Sequence, residues 1–206
     1  MKAILSALLL AFSLTGCATR WVVDSDVRSF ANMGGVPAGA SYRFERLPSQ
    51  QIDEAAQQQL EAMAGAALDG VGLRRDDAAP QLSALVGARV TTELSPWADP
   101  WLVGGPWAGP GWGYGGGWGP RGWYGGGWYG PAFGPPASPW FAREVSIVLR
   151  ELPSNRVVYE THARNDGPYS NSADVLPVMF QAALQGFPNP PPGERRVDIE
   201  IPRATR

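Results

Sequence analysis

The sequence predicts an α+β domain: a two-layer sandwich of a largely antiparallel sheet with two helices, interrupted by a Gly/Trp-rich insertion. Three observations lead there. Several short segments alternate apolar and polar residues with period two, as half-buried strands do. Two longer segments carry apolar residues at three- and four-residue spacing, as amphipathic helices do. Between two of the strand-like segments lies a stretch with almost no charge that holds most of the tryptophan.

The elements follow in order. Trp21 to Phe30 reads as a strand, with Val23 and Val27 set apart by polar positions. Ser41-Tyr42-Arg43-Phe44-Glu45 alternates cleanly, which points Tyr42 and Phe44 to the core. Pro48-Ser49 opens a helix with Ser49 as N-cap. Its stripe is Ile52, Ala55, Ala56, Leu60, Met63, Ala64, Ala67 and Leu68, with Gln57, Gln58, Gln59 and Glu61 off or beside it. Gly70 and Gly72 end it, because glycine accepts the left-handed conformation that follows a last turn. Arg74-Arg75-Asp76-Asp77 reads as a charged turn, and Leu82 to Leu94 as one or two strands ended by Pro96.

Arg143 to Glu151 and Val157 to His162 alternate on either side of Pro153-Ser154-Asn155, a hairpin pattern. A second helix starts near Ser172 or Asp174 and stops at Gly186, with Pro177 in or near its first turn. Val197, Ile199 and Ile201 alternate with Asp198 and Glu200, which predicts a last strand at a sheet edge.

Composition narrows the function. In 206 residues there are 17 basic and 19 acidic side chains, a formal charge of -2, so phosphate-gripping nucleic-acid binding is disfavoured. One cysteine and one histidine exclude Cys/His zinc sites, disulfide frameworks and Cys–His dyads. Lys2 is the only lysine, so a chain that has lost its first residues has no Schiff-base or Walker-type lysine.

The amino terminus has its own logic. Lys2 precedes the apolar run Ala3 to Leu14, which is too short for the roughly 20-residue helix that spans a bilayer and suits a signal-peptide core. The run ends in Leu14-Thr15-Gly16-Cys17, which resembles the bacterial lipobox. That resemblance implies cleavage before Cys17 and acylation of its thiol. Residues 1–16 are then a lipoprotein signal peptide and 17–20 a lipidated tether. Two acyl chains anchor stably, since each buried CH₂ contributes about 0.8 kcal/mol. Ala18, in place of Asp, favours the outer membrane in the enteric sorting pattern. Three residues, 18–20, separate Cys17 from the first strand, a reach of about 14 Å that holds the domain close to the bilayer.

Residues 21–206 form one domain with the insertion at about 97–140. The insertion repeats imperfectly, as GWGYGGGWGPR from Gly111 and GWYGGGWYGPA from Gly122, and carries only Asp99 and Arg121 as charges. Ordinary linkers use Ser, Gln or charged residues. Here Trp107, Trp112, Tyr114, Trp118, Trp123, Tyr124, Trp128 and Tyr129 are candidate contact residues. Large amphipathic rings on an uncharged backbone are sticky in water. They can cover the domain's own sheet, sit at a membrane interface, or stack on a glycan or protein partner.

Catalytic signals are weak. Gly111/Gly113/Gly116 and Gly125/Gly127/Gly130 match G-x-G-x-x-G but lack the flanking strand and helix a dinucleotide site needs. His162 lies on the polar phase of a strand beside Glu160 and Arg164. Asp24/Asp26 and Asp76/Asp77 are carboxylate pairs without further ligands. No G-x-S-x-G elbow exists.

The order of elements resembles the bacterial envelope lipoproteins grouped as domain-of-unknown-function family 4136. The resemblance rests on the lipobox Cys17, on Ser41-Tyr42-Arg43-Phe44, and on the helix ending in Leu68-Asp69-Gly70-Val71-Gly72-Leu73. It rests also on the hairpin Glu144–Ala163, the closing helix into Phe187-Pro188, and the aromatic, glycine-rich loop before the hairpin. Tyr159-Glu160-Thr161 departs from the Trp-x-Gly tendency of that group, and Gln81 from its acidic residue after proline. The family implies a fold and an envelope location and carries no activity. The expectation is therefore a non-catalytic lipoprotein anchored by acyl chains in the outer membrane and facing the periplasm, without cofactor or metal. It binds an envelope protein and supports assembly or integrity. The alternative is a glycan-binding module using stacked tryptophans, with a hydrolase as a remote third.

Overall fold

The computed structural model describes residues 21–32, 35–97 and 139–201. They form an α+β fold with a mixed seven-stranded sheet and two α-helices. The strands are β1 (Trp21–Ala31), β2 (Ser41–Glu45), β3 (Arg74–Arg75), β4 (Leu82–Leu94), β5 (Pro139–Glu151), β6 (Arg156–Gly167) and β7 (Glu194–Ile201). The helices are α1 (Glu54–Gly70) and α2 (Ser172–Ala183). The sheet order is β3-β2-β4-β5-β6-β1-β7.

The sheet is largely antiparallel, as the sequence predicts, and mixed through one strand. β2 runs parallel to both β3 and β4, while every other pair is antiparallel. The reason is the connection. A parallel neighbour needs a crossover, and α1 lies between β2 and β4 to supply it. β3 was read as a charged turn; it is a two-residue strand followed by a turn. There Asp76 Oδ1 accepts from the Ala78 and Ala79 amides at 3.0 Å, which holds its carboxyl below the usual range.

The alternation read from sequence decides which face is covered. Val23, Ser25, Val27 and Ser29 of β1, Val145, Ile147 and Leu149 of β5, and Tyr159, Thr161 and Ala163 of β6 are all buried. The helices touch each other and lie on this face: α2 packs on β1, β5, β6 and β7, and α1 on β3 and β4. Tyr42 is buried and Phe44 half-buried against the core, as expected, and burial pushes the Tyr42 hydroxyl up to about 12.

The first helix differs in its start and in its face. Pro48–Gln51 is one 3-10 turn, and Asp53 caps α1 by accepting from the Ala56 amide at 3.0 Å. The expected cap, Ser49, lies in the preceding turn. Ala55 and Ala56 are exposed and Ile52 is 86% exposed, while Gln57 and Glu61 are buried. The stripe is rotated toward Gln57, Leu60, Glu61, Ala64, Ala67 and Leu68 because Glu61 has a partner. Arg46 donates to Glu61 through Nε at 2.6 Å and Nη2 at 2.8 Å, and Gln57 Nε2 adds a contact at 3.3 Å. A bidentate guanidinium makes a buried carboxylate tolerable. Gly72 takes φ +87° after the helix, as its place required. Pro177 is the sixth residue of α2, one turn deeper than expected, so its missing N–H removes one helical bond.

Arg46's hydrogen bonds hold the Glu61 carboxyl below its ordinary value of 4.5. Stability from this group is present above that pH and lost as pH falls through the lowered value. Glu61→Gln is expected to cost about 2 kcal/mol at neutral pH, the scale of lost hydrogen bonds to a charged group. Urea melts at pH 7 and pH 3 check it: the gap between wild type and variant should shrink at the lower pH.

Candidate functional site

Cys17 and the insertion residues Trp107, Trp112, Tyr114, Trp118, Trp123, Tyr124, Trp128 and Tyr129 lie outside the described residues, as do both glycine-rich matches. The structure instead places the points from which those segments depart. Leu94 pairs with Pro139, so β4 and β5 bring the two ends of the insertion side by side. Phe141 pairs with Gly167, and the Trp21 ring lies 5.0 Å from that of Tyr169 at 54°. The start of β1 and both ends of the insertion therefore share one end of the sheet.

That end is aromatic. Trp97 is 85% exposed and Tyr169 half exposed. A cavity of about 320 Å³ is lined by Trp21, Trp140, Asn165, Asp166, Tyr169 and Val175, among others. Trp140 Nε1 donates to Asp166 Oδ2 at 2.7 Å, which fixes one indole at its rim. Trp21 Nε1 is buried and finds no acceptor among the described residues.

Beneath this end sits Arg143, a fully buried guanidinium on the helix side of β5. No carboxylate pairs with it among the described residues. Its acceptors are neutral: Ser172 Oγ at 3.0 Å, Asn165 Oδ1 and the Phe141 carbonyl at 3.4 Å, and the Tyr169 carbonyl. Burial lowers its pKa. Arg143 thereby ties β5, the end of β6, the 168–171 turn and the start of α2 together. Sequence reasoning saw it only as the first residue of a strand. A charge in the apolar phase, two residues before Val145, was the available signal.

The opposite face of the sheet carries the other sequence-derived candidates, and each is engaged. Asp24 accepts from Arg196 at 2.6 Å, and Asp26 lies opposite both Arg164 and Arg196. The Asp24/Asp26 pair is thus balanced by arginine rather than poised for a cation. His162 lies between Glu160 (Nε2, 2.9 Å) and Glu144 (Nδ1, 3.5 Å), and Arg164 reaches Glu144 at 3.6 Å. His162, Glu144 and Arg164, together with Arg28, Phe30 and Glu194, line a shallow hollow of about 240 Å³. Asp77 pairs with Arg75 at 3.1 Å, far from these groups in the sheet order. Among the described residues no three His, Cys, Asp or Glu side chains are grouped to hold a metal, and no helix is long and apolar enough to cross a membrane.

An α+β domain with one helix-covered and one charged sheet face, and an aromatic rim at the insertion end, is the class this geometry defines. Within that class, the family model of a domain of unknown function, DUF4136, matches residues 23–189, and the chain belongs to that family. No curated protein matches it. Among solved structures it is similar to the PelC dodecamer from Paraburkholderia phytofirmans in two crystal forms. One has 12% identity and a TM-score of 0.41, covering 78% of this chain and 94% of that one. The other has 10% identity and a TM-score of 0.43, covering 81% and 99%. A PDZ domain protein from Parabacteroides distasonis has 10% identity and a TM-score of 0.46, covering 94% of this chain and 42% of that one.

Arg143→Lys tests the tie at this end. A lysine cannot reach acceptors on both sides at once, so about 2 kcal/mol of stability should be lost. Hydrogen exchange should locate the loosening in residues 165–175 rather than in β1 or β4. Uniform loosening would assign Arg143 no special role.

Proposed function

We propose that this protein is a lipid-anchored, non-catalytic binding protein of the bacterial outer membrane. Its aromatic insertion is the contact surface for an envelope partner, in support of envelope assembly or integrity. The observation that carries the reading is the shared end of the sheet. The tether from Cys17 enters at Trp21, and the insertion leaves at Leu94 and returns at Pro139, on the same row of the sheet. An anchor at Cys17 with a reach of about 14 Å then keeps the insertion close to the bilayer and to whatever is assembled there. The two-layer arrangement suits this role, since the helices cover one sheet face and leave the rim free.

The contacts of His162 with Glu160 and Glu144 and the ion pair of Asp24 with Arg196 also support a binding role over a hydrolytic one. A glycan partner is the second reading, because the Trp140–Asp166 bond, made at the indole edge, holds a carboxylate beside an aromatic ring, a combination suited to sugar rings and hydroxyls.

Two experiments test this. Deleting residues 104–139 should leave the thermal melt intact and abolish complementation of a null strain; full complementation by a folded, localised deletion protein sinks the contact role. Cys17→Ser should release the protein from the membrane fraction and end incorporation of labelled fatty acid. Tryptophan emission discriminates the partner: a blue shift with lipid vesicles and none with cell-wall sacculi excludes the glycan reading, and the reverse result replaces the first.

A further inference from the structure

β4 is longer than the sheet around it. β2 pairs with it only from Leu82 to Leu85, whereas β5 pairs with it as far as Leu94. Among the described residues one edge of β4 is therefore open from Gly87 onward, and Ala88, Arg89, Val90, Thr92, Glu93 and Leu94 are exposed. The hydrogen-bonding phase of that edge can be read off. Gln50 Nε2 donates to the Val86 carbonyl at 2.7 Å, from the side away from β5. The Gln81 carbonyl points the other way, to the Leu152 amide at 3.0 Å. Strand alternation then directs the N–H and C=O of Ala88, Val90, Thr92 and Leu94 outward. Among the described residues nothing accepts from or donates to them there.

The side chains along this edge are self-complementary. Two copies of the segment, run antiparallel about a two-fold axis through Thr91, bring Val90 opposite Thr92 and Ala88 opposite Leu94. All four have outward backbone groups, so these are the hydrogen-bonded pairs. The same register sets Thr91 against Thr91 and Arg89 against Glu93, twice, as the closer non-hydrogen-bonded pairs. Arg89, Thr91 and Glu93 are on the charged face of the sheet.

That face carries a row of alternating charge, Arg196–Asp26–Arg164–Glu144–Arg89, set by the register of five strands. The row ends on Arg89 at the open edge, where no carboxylate forms an ion pair with it among the described residues. Among the described residues Glu93 accepts a hydrogen bond only from the Thr91 hydroxyl, at 3.4 Å. Glu93 of a second copy would be the next member of the row.

We infer that the open edge of β4, from Ala88 to Leu94, is a homodimerisation surface, on which a second copy of this chain adds its own β4 antiparallel and in the register centred on Thr91. The interface is isologous, as a two-fold contact requires. An edge left open is otherwise a liability for uncontrolled pairing, and the paired charges restrict it to one register. The pairing also sets the two insertion ends beside each other, because Leu94 lies only three residues from the axis. The inference stands on backbone phase and charge order, and holds whether or not Cys17 carries lipid.

The test uses the full-length chain in its native membranes. Cys17 is the only native cysteine, so the wild type is the background lane. Thr91→Cys should give, on mild oxidation, a reducible species of twice the monomer's mass, and Arg156→Cys beside the far hairpin turn should not. Adding Arg89→Glu or Glu93→Arg to Thr91→Cys should cut the yield about tenfold, the size of two attractive cross-strand pairs turned repulsive. The two reversals together should restore it. Val90→Pro removes one outward N–H and no bond of its own sheet, and should also abolish the species with the melt unchanged. A Thr91→Cys protein that stays monomeric, or that links to a different protein, overturns the proposal. So does a dimer indifferent to the charge reversals. A monomer that becomes a dimer only when residues 104–139 are deleted assigns the edge to the chain's own insertion and overturns it equally.

Discussion

The antiparallel pairing of β4 with β5 is the constraint on which the rest of the structure depends. It runs without a break from Leu82↔Glu151 to Leu94↔Pro139. Because the two strands are central in the sheet order, their register sets the phase of every neighbour. It puts Val86 against Ile147 and Ala84 against Leu149 under the helices, and Arg89 against Glu144 on the far side. It also brings the two ends of the insertion together. A slip of one residue would move Arg143 to the charged face and Glu144 into the core, and both faces would fail at once.

The two faces solve different problems. Under the helices, apolar side chains leave water, and several of the polar exceptions are bonded, while the Ser25 and Tyr159 hydroxyls find no hydrogen-bond partner among the described residues. Ser29 Oγ lies 2.8 Å from Thr161 Oγ1, Thr161 donates to the Ala183 carbonyl at 2.8 Å, and Glu61 has its arginine. On the other face the side chains stay wet, and along the row from Arg196 to Arg89 neighbouring strands alternate in charge, while Asp24, opposite Asp198, is paired with Arg196. Each such pair contributes little by itself in water. Together they disfavour other registers, since a shift sets like charges opposite each other. The end of the sheet near Trp21 differs from both. It combines rings, a buried guanidinium held by neutral oxygens, and the departure points of two segments.

Much of this was legible in the sequence. The strand at Trp21, the alternation at Tyr42 and Phe44, the hairpin, the second helix and the final edge strand follow from local periodicity, and local periodicity is what a sequence records directly. The helix face of α1 was misread because Gln57 and Glu61 are polar. Their burial depends on Arg46, whose approach is set by the path of β2 into the 3-10 turn and not by helical spacing. The parallel placement of β2 was missed for a similar reason. Alternation says that a strand is half-buried and says nothing about which strand lies beside it. The sequence offers His162, Asp24 and Asp26 as weak candidates for chemistry, but their neighbours were out of its reach. Arg196, which pairs with Asp24, is separated from it by most of the chain.

By itself, then, the sequence determined the element types, the two-sidedness of the strands, the uncharged aromatic character of the insertion and membership of the family. Each is a property of residues close together along the chain. Only the tertiary structure decided the strand order, the burial of Arg143, the charge row across five strands, the shared end at Trp21, Leu94 and Pro139, and the open edge of β4. These depend on which distant segments become neighbours. That choice is made by the balance of core burial, crossover connections and cross-strand charge over the whole domain, and no short window of sequence contains it.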